Sequence, residues 1–183
     1  MMVTEVNIRG LRHAAAVYNG DMFGMRTMSG CGVSGVDDAG ATYFLPSDAS
    51  NRALGLALRN CFICSRLLDQ DEFNAFFAKE EAKRNKQSWT NAMTEHMGAK
   101  SFASLRRKMA WIGAYTADGD IHLQPTLNVD GRKWLYLPDR DVKDIKLHYD
   151  SDDAAIGAAL REAFKRCEGT GRADLDFGDP LPD

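Results

Sequence analysis

No run of apolar residues in this 183-residue sequence approaches the length of a membrane span, which excludes a helical membrane protein. The first residues, Met1 to Glu5, lack the basic stretch and apolar core of a secretory signal. Four cysteines without an export signal are expected to stay reduced in a cytosol, and 44% hydrophobic content builds a core without disulfide staples. The chain also lacks a strong excess of either charge. Its formal net charge of −3 removes the overall basicity that would make nucleic acid the first partner to consider, so no direct nucleic-acid binding is expected.

Motifs of catalysis are missing too. There is no GxSxG elbow, phosphate loop or dinucleotide fingerprint; Gly30-Cys31-Gly32 with Gly35 reads as a turn or bulge. Cys61 and Cys64 have the CxxC spacing, yet zinc needs two further ligands and no second pair stands near. A redox CxxC opens a helix, whereas this one lies late in an amphipathic helix, so both thiols are read as buried and structural. His13, His96, His122 and His148 fall in different elements with no paired spacing. The expectation is a protein with no catalytic residue, no metal and no cofactor.

What the sequence does contain is a change of period along its length. Short apolar stretches at Val3 to Ile8, Ala14 to Tyr18 and Thr42 to Leu45 are separated by turn signals such as Asn19-Gly20, Ser29-Gly30 and Asp37 to Gly40. After Pro46 the spacing of Leu54, Ala57, Leu58, Cys61 and Phe62 predicts a helix, capped by Ser47 or Asp48. Further helices follow. Asp69 and Glu72 are spaced as a capping box before Phe73, Phe76 and Phe77, and Trp89, Met93 and Met97 share one face of the next helix.

From Met109 to Tyr115 the alternation is that of a strand, and Ala117-Asp118-Gly119-Asp120 predicts a hairpin into Ile121 to Gln124. Asp130-Gly131 turns into Trp134 to Leu137, and Ile145 to Tyr149 completes a meander suited to antiparallel pairing. The last helix carries Ile156, Leu160, Ala163 and Phe164 in one stripe behind the cap Ser151-Asp152-Asp153. The fold class expected is α+β: a single domain over residues 1–169, with a mainly antiparallel sheet and about four helices at 49–67, 70–84, 87–97 and 152–167. Residues 170–183, acidic and poor in apolar side chains, read as a disordered tail.

One segment occurs twice. Ala53-Leu54-Gly55-Leu56-Ala57-Leu58-Arg59 matches Ala155-Ile156-Gly157-Ala158-Ala159-Leu160-Arg161, with Phe62 corresponding to Phe164. Glycine inside a helix costs about 1 kcal/mol relative to alanine, so two at equivalent positions point either to a close approach or to chance similarity of Ala/Leu helices.

Charge is uneven. Lys79 to Lys108 carries eight Lys or Arg against three Glu, whereas Ala117 to Asp153 carries nine Asp against five Lys or Arg. Alternation with acids along helices makes the first a solvated face. The second lies in turns, where Asp118, Asp120, Asp139, Asp141 and Asp144 are candidates to attract a basic partner, although turn chemistry alone favours aspartate there.

Phe44-Leu45-Pro46-Ser47-Asp48 with Leu54-Gly55, Ser65-Arg66 with Phe76-Phe77, Ser88-Trp89, Ala117-Asp118-Gly119 with Gln124-Pro125-Thr126, and Ile156 to Arg161 form an ordered set. Together they resemble the immunity proteins of bacterial contact-dependent growth inhibition (CDI) systems, from about residue 20 to Cys167, with a departure over Leu127 to Arg140. The resemblance implies a non-enzymatic cytoplasmic protein that binds the C-terminal toxin domain of its own system and blocks it. Such toxins are commonly nucleases, which implies a basic partner for the aspartates. The alternative from another class is a small hydrolase or nucleic-acid-processing enzyme whose Asp/His site the sequence order conceals.

The last helix supplies a direct check on this reading of the pattern. If its stripe faces the core, Phe164→Ala costs about 3–5 kcal/mol through lost burial and the cavity left behind. Thermal unfolding measures the loss, and an unchanged midpoint means that the stripe faces solvent.

Overall fold

The computed structural model describes residues 11–139, 143–169 and 180–182; Val3 to Ile8, Asp141 and most of the expected tail lie outside them. Nine strands form one sheet: β1 (Arg12–Tyr18), β2 (Met22–Cys31), β3 (Val33–Val36), β4 (Thr42–Pro46), β5 (Ala110–Ala117), β6 (Asp120–Val129), β7 (Lys133–Tyr136), β8 (Ile145–His148) and β9 (Glu168–Gly169). The order along the main path is β3-β2-β1-β5-β6-β7, and all pairs are antiparallel except β6 with the short β9. Two long strands carry more than two partners each. β2 pairs with β4 at Met22 to Arg26 and with β3 at Met28 to Cys31, while β6 pairs with β8 at Asp120 to Leu123 and with β7 at Thr126 to Val129.

Helices cover both faces. On one side lie α1 (Asn51–Cys64) and α5 (Asp153–Arg166); on the other lie α2 (Gln70–Phe76), α3 (Lys79–His96) and α4 (Phe102–Arg107). The larger core joins Leu54, Leu58 and Phe62 of α1 and Ile156, Leu160 and Phe164 of α5 to Ala14, Ala16 and Tyr18 of β1 and Ile112 of β5. These are the positions that the two periodicities marked. The smaller core joins Val17 to Trp89, Met93, Met97, Leu105 and Met109.

The repeated segment is explained by α1 and α5 touching each other. A Cβ on Gly55 would lie 1.8 Å from the carbonyl oxygen of Asp153, and a Cβ on Gly157 would lie 1.8 Å from that of Asn51. Each glycine therefore admits the first turn of the other helix. The matching arginines close the same crossing: Arg59 Nε donates to Asp153 at 2.8 Å, and Arg161 Nε donates to Asn51 at 3.0 Å. Arg59 also donates to the carbonyls of Tyr149 and Ser151, as Arg161 does to that of Ala49.

Ser65 and Arg66 tie the end of α1 to the sheet. Ser65 Oγ donates to the Met28 carbonyl at 2.6 Å and accepts from the His13 N–H at 2.9 Å. Asp37, part of the Asp37 to Gly40 turn signal, is buried and accepts from Ser29 Oγ at 2.6 Å and Arg66 Nε at 2.9 Å. Burial acts to raise its pKa, but hydrogen bonds from Arg66, Ser29 and the Ala39 N–H together hold it below the usual value.

Several boundaries differ from expectation. The break expected near residue 85 falls at Phe77-Ala78, where the helix that the Asp69–Glu72 capping box starts ends after seven residues. The polar run 79–88 then continues as one 18-residue helix, a stretch whose lack of apolar anchors left its period invisible. A fifth helix, α4, was not expected; Ser101 caps it and Leu105 alone is buried, too little pattern to detect. Ser50, not Ser47 or Asp48, caps α1. Ser29-Gly30 lies within β2, and the chain turns at Gly32 instead, where φ is +75°.

Helix propensity alone favours alanine over glycine by about 1 kcal/mol. The crossing reverses that sign: Gly55→Ala and Gly157→Ala should each destabilise by about 1–3 kcal/mol, as overpacking does. Chemical denaturation of either variant at or above wild-type stability would show that the helices are not held this close.

Candidate functional site

The β5–β6 hairpin is built as its sequence dictates. Ala117 pairs with Asp120, leaving Asp118 and Gly119 as a two-residue loop with φ of +53° and +83°, the geometry of a type I′ turn. Asp118 is exposed at its tip. β6 then alternates, sending Ile121 and Leu123 into the core and His122 and Gln124 to the opposite face.

At this corner three of the five candidate aspartates meet. Asp120 pairs with Lys146 of β8 at 2.8 Å, and the lysine is the main reason its pKa falls below the usual value. Asp144 is half-buried and accepts from Gln124 Nε2 at 3.2 Å. Asp118, Asp120 and Asp144 all act electrostatically on His122. Asp139 lies apart, exposed in the turn after β7, with its carbonyl accepting from the Lys143 N–H at 3.1 Å. Asp141 lies outside the described residues.

Beside the aspartates is a site that sequence order did not disclose. The adjacency of β1, β5 and β6 places His13, Tyr115 and His122 on one face, with Tyr115 and His122 stacked at 4.6 Å and nearly parallel, and His13 6.3 Å beyond. They border or line an open cavity of about 490 Å³ that also includes Met28, Val33 and Tyr136. Strand alternation at Met109 to Tyr115 was the available signal; the parity of His13 and His122 relative to it depended on register.

Burial lowers the His13 pKa, and its Nε2 is buried with no hydrogen-bond partner among the described residues. His122 is lowered first by burial and then by Lys146, with the three aspartates pulling the other way. Both imidazoles are therefore neutral near pH 7. Among the described residues no imidazole nitrogen is hydrogen-bonded to a side-chain hydroxyl or thiol, the contact a nucleophile and its base require.

Of the CxxC pair, Cys61 is buried and its thiol is pushed up to about 12 by burial. Cys64 is exposed, contrary to the expectation that both were buried, because it falls on the outer side of the last turn of α1. No group of three or more His, Cys, Asp or Glu among the described residues is placed to hold a metal. None of the described helices is long and apolar enough to cross a membrane.

The fold and this corner define an α+β domain with a polar edge and an aromatic sheet face. The CDI immunity protein family model matches residues 12–167, and the chain belongs to that family. Two solved structures share the fold. A protein of unknown function from Neisseria meningitidis superposes with a TM-score of 0.81 at 24% identity, covering 92% of this chain and 100% of the other. A chain of the CdiA-CT/CdiI toxin and immunity complex from Yersinia pseudotuberculosis gives 0.78 at 22%, covering 86% and 98%. No curated protein matches the chain significantly.

The neutral histidines set a pH dependence. In the unfolded chain both take up protons around pH 6.5, whereas in the folded chain they resist until lower pH. Stability is thus complete above about pH 6.5 and declines as pH falls through the folded values. The melting temperature should drop between pH 7.5 and 5.5, with a shallower drop in His13→Phe. NMR titration midpoints above 6.5 for these two side chains would contradict the geometry described.

Proposed function

We propose that the chain is the cytoplasmic immunity protein of a CDI system, which binds its cognate toxin C-terminal domain and holds it inactive without catalysis. The observation that carries this is the family match over residues 12–167. The toxin and immunity complex with the same fold supports the mode of action, binding of one protein by another.

The finer proposal is that the toxin is a nuclease with the basic surface needed to hold nucleic acid, and that the aspartates of the second half attract it. Asp118 and Asp139 support this most directly, since both are exposed and stand in turns where contact displaces no packed group. Asp120 and Asp144 are already engaged by Lys146 and Gln124, so in this scheme they shape the corner and add field more than direct contacts. Asp141 completes the proposed set.

Rim charges act mainly on association. Asp118→Lys combined with Asp139→Lys should slow association with the cognate toxin domain about tenfold at low salt and leave dissociation within about twofold. The difference from wild type should shrink as salt rises. Stopped-flow binding at two ionic strengths, with circular dichroism on the variants, measures this. Wild-type association rates at low salt would remove these turns from the interface.

A further inference from the structure

Between α3 and the sheet lies a second cavity of about 460 Å³, and its chemistry differs from that of the aspartate corner. Six aromatic residues line it: Phe76, Phe77, Phe102, Trp89, Trp111 and Trp134. All three tryptophans of the chain are among them. Trp134 already donates its Nε1–H to the Met109 carbonyl at 3.1 Å, so its polar edge is satisfied within the protein.

Among the described residues the rim has one sign of charge. Lys86 of α3, Arg106 of α4, Arg132 and Lys133 line the cavity, and no described Asp or Glu does. Arg106 is fixed, donating Nε to the Gly131 carbonyl at 2.6 Å with its guanidinium 5.6 Å over the Phe102 ring. Lys86, Arg132 and Lys133 are exposed and form no ion pair among the described residues. Four cations around one apolar cavity, in a chain of net charge −3, concentrate a positive field where an apolar body would be buried. The volume falls within the range of small-molecule sites, and the lining has their usual composition, apolar walls with a few converging polar groups.

We propose that this groove binds a small organic anion: an apolar ring or chain seated among the tryptophans, with a carboxylate, sulfonate or phosphate head held by Lys86, Arg132 and Lys133. Charge complementarity selects an anionic ligand over a neutral one, and the aromatic walls select an apolar body over an inorganic ion. None of the candidate aspartates lines the groove, so the ligand site stands or falls separately from the toxin reading.

The tryptophans make binding directly readable. The probe is 8-anilinonaphthalene-1-sulfonate, with uncharged N-phenyl-1-naphthylamine as its control, titrated into the full folded chain while tryptophan emission is recorded. The expected result is saturable one-site binding of the sulfonate with quenched tryptophan emission. In the triple variant Lys86→Ala/Arg132→Ala/Lys133→Ala its Kd should rise about tenfold or more, while the neutral dye changes by less than about twofold. Ala82→Phe, which places a ring in the groove, should abolish binding of both dyes. Near-UV circular dichroism confirms native packing, since loosely packed states also bind such dyes. Non-saturable binding overturns the proposal, as does equal affinity of the sulfonate for wild type and triple variant, or binding that survives Ala82→Phe. Displacement of the dye by the cognate toxin domain overturns it as well, by making the groove a seat for the toxin.

Discussion

The crossing of α1 over α5 governs what the rest of the chain can do. Two glycines let each helix place its first turn against the other, at a cost of about 1 kcal/mol each in helix propensity. Arg59 and Arg161 offset that cost by binding the backbone and side chains at the start of the opposite helix, where carbonyls near the crossing would otherwise be poorly solvated. Because the helices meet so closely, their apolar stripes form one surface. That surface lies on Tyr18, Phe23 and Ile112 and fixes which face of every central strand is core. A one-residue slip of any of these strands would turn its apolar set away from the helix pair.

The opposite face is left with less cover, and both cavities open on it. α3 and α4 shield one end, over Val17 and Met109, and leave the groove ringed by cations. The other end stays open, with Tyr115 and His122 stacked above the strands and aspartates gathered where β6 meets β8. A net charge of −3 conceals this division into a positive rim and an acidic corner. Separate fields of opposite sign suit a protein whose task is to select one partner, since complementary charge raises the rate of the right encounter and mismatched charge opposes the wrong one.

How far the sequence could be read varies with the range of the forces involved. Local signals were read correctly: the Asp118-Gly119 turn, the Asp69–Glu72 capping box and the stripe ending at Phe164 each depend on residues a few positions apart. The Gly55 and Gly157 echo was legible as a pattern, but its meaning required knowing that the two helices, a hundred residues apart, meet. The break at Phe77-Ala78 was hidden because long-range packing places it, with the Phe77 ring lying near Gly35 of β3. At the corner, aspartates were visible and their neighbours were not. Lys146 reaches Asp120, and Gln124 reaches Asp144, only through the pairing of β8 with β6 and the register it imposes. The CDI resemblance rested on caps, stripes and turns, residues that build the fold, which is why it identified the family without marking a contact surface.

The central claim is that this chain silences a toxin by occupying it. Titrating the chain into a fixed amount of the active cognate toxin domain and measuring residual toxin activity tests that claim most directly. Binding predicts a linear fall that ends near one chain per toxin, with active toxin recovered when the complex is dissociated in denaturant and refolded. Inactivation of many toxin molecules by each chain, or toxin that stays inactive after separation, would contradict it.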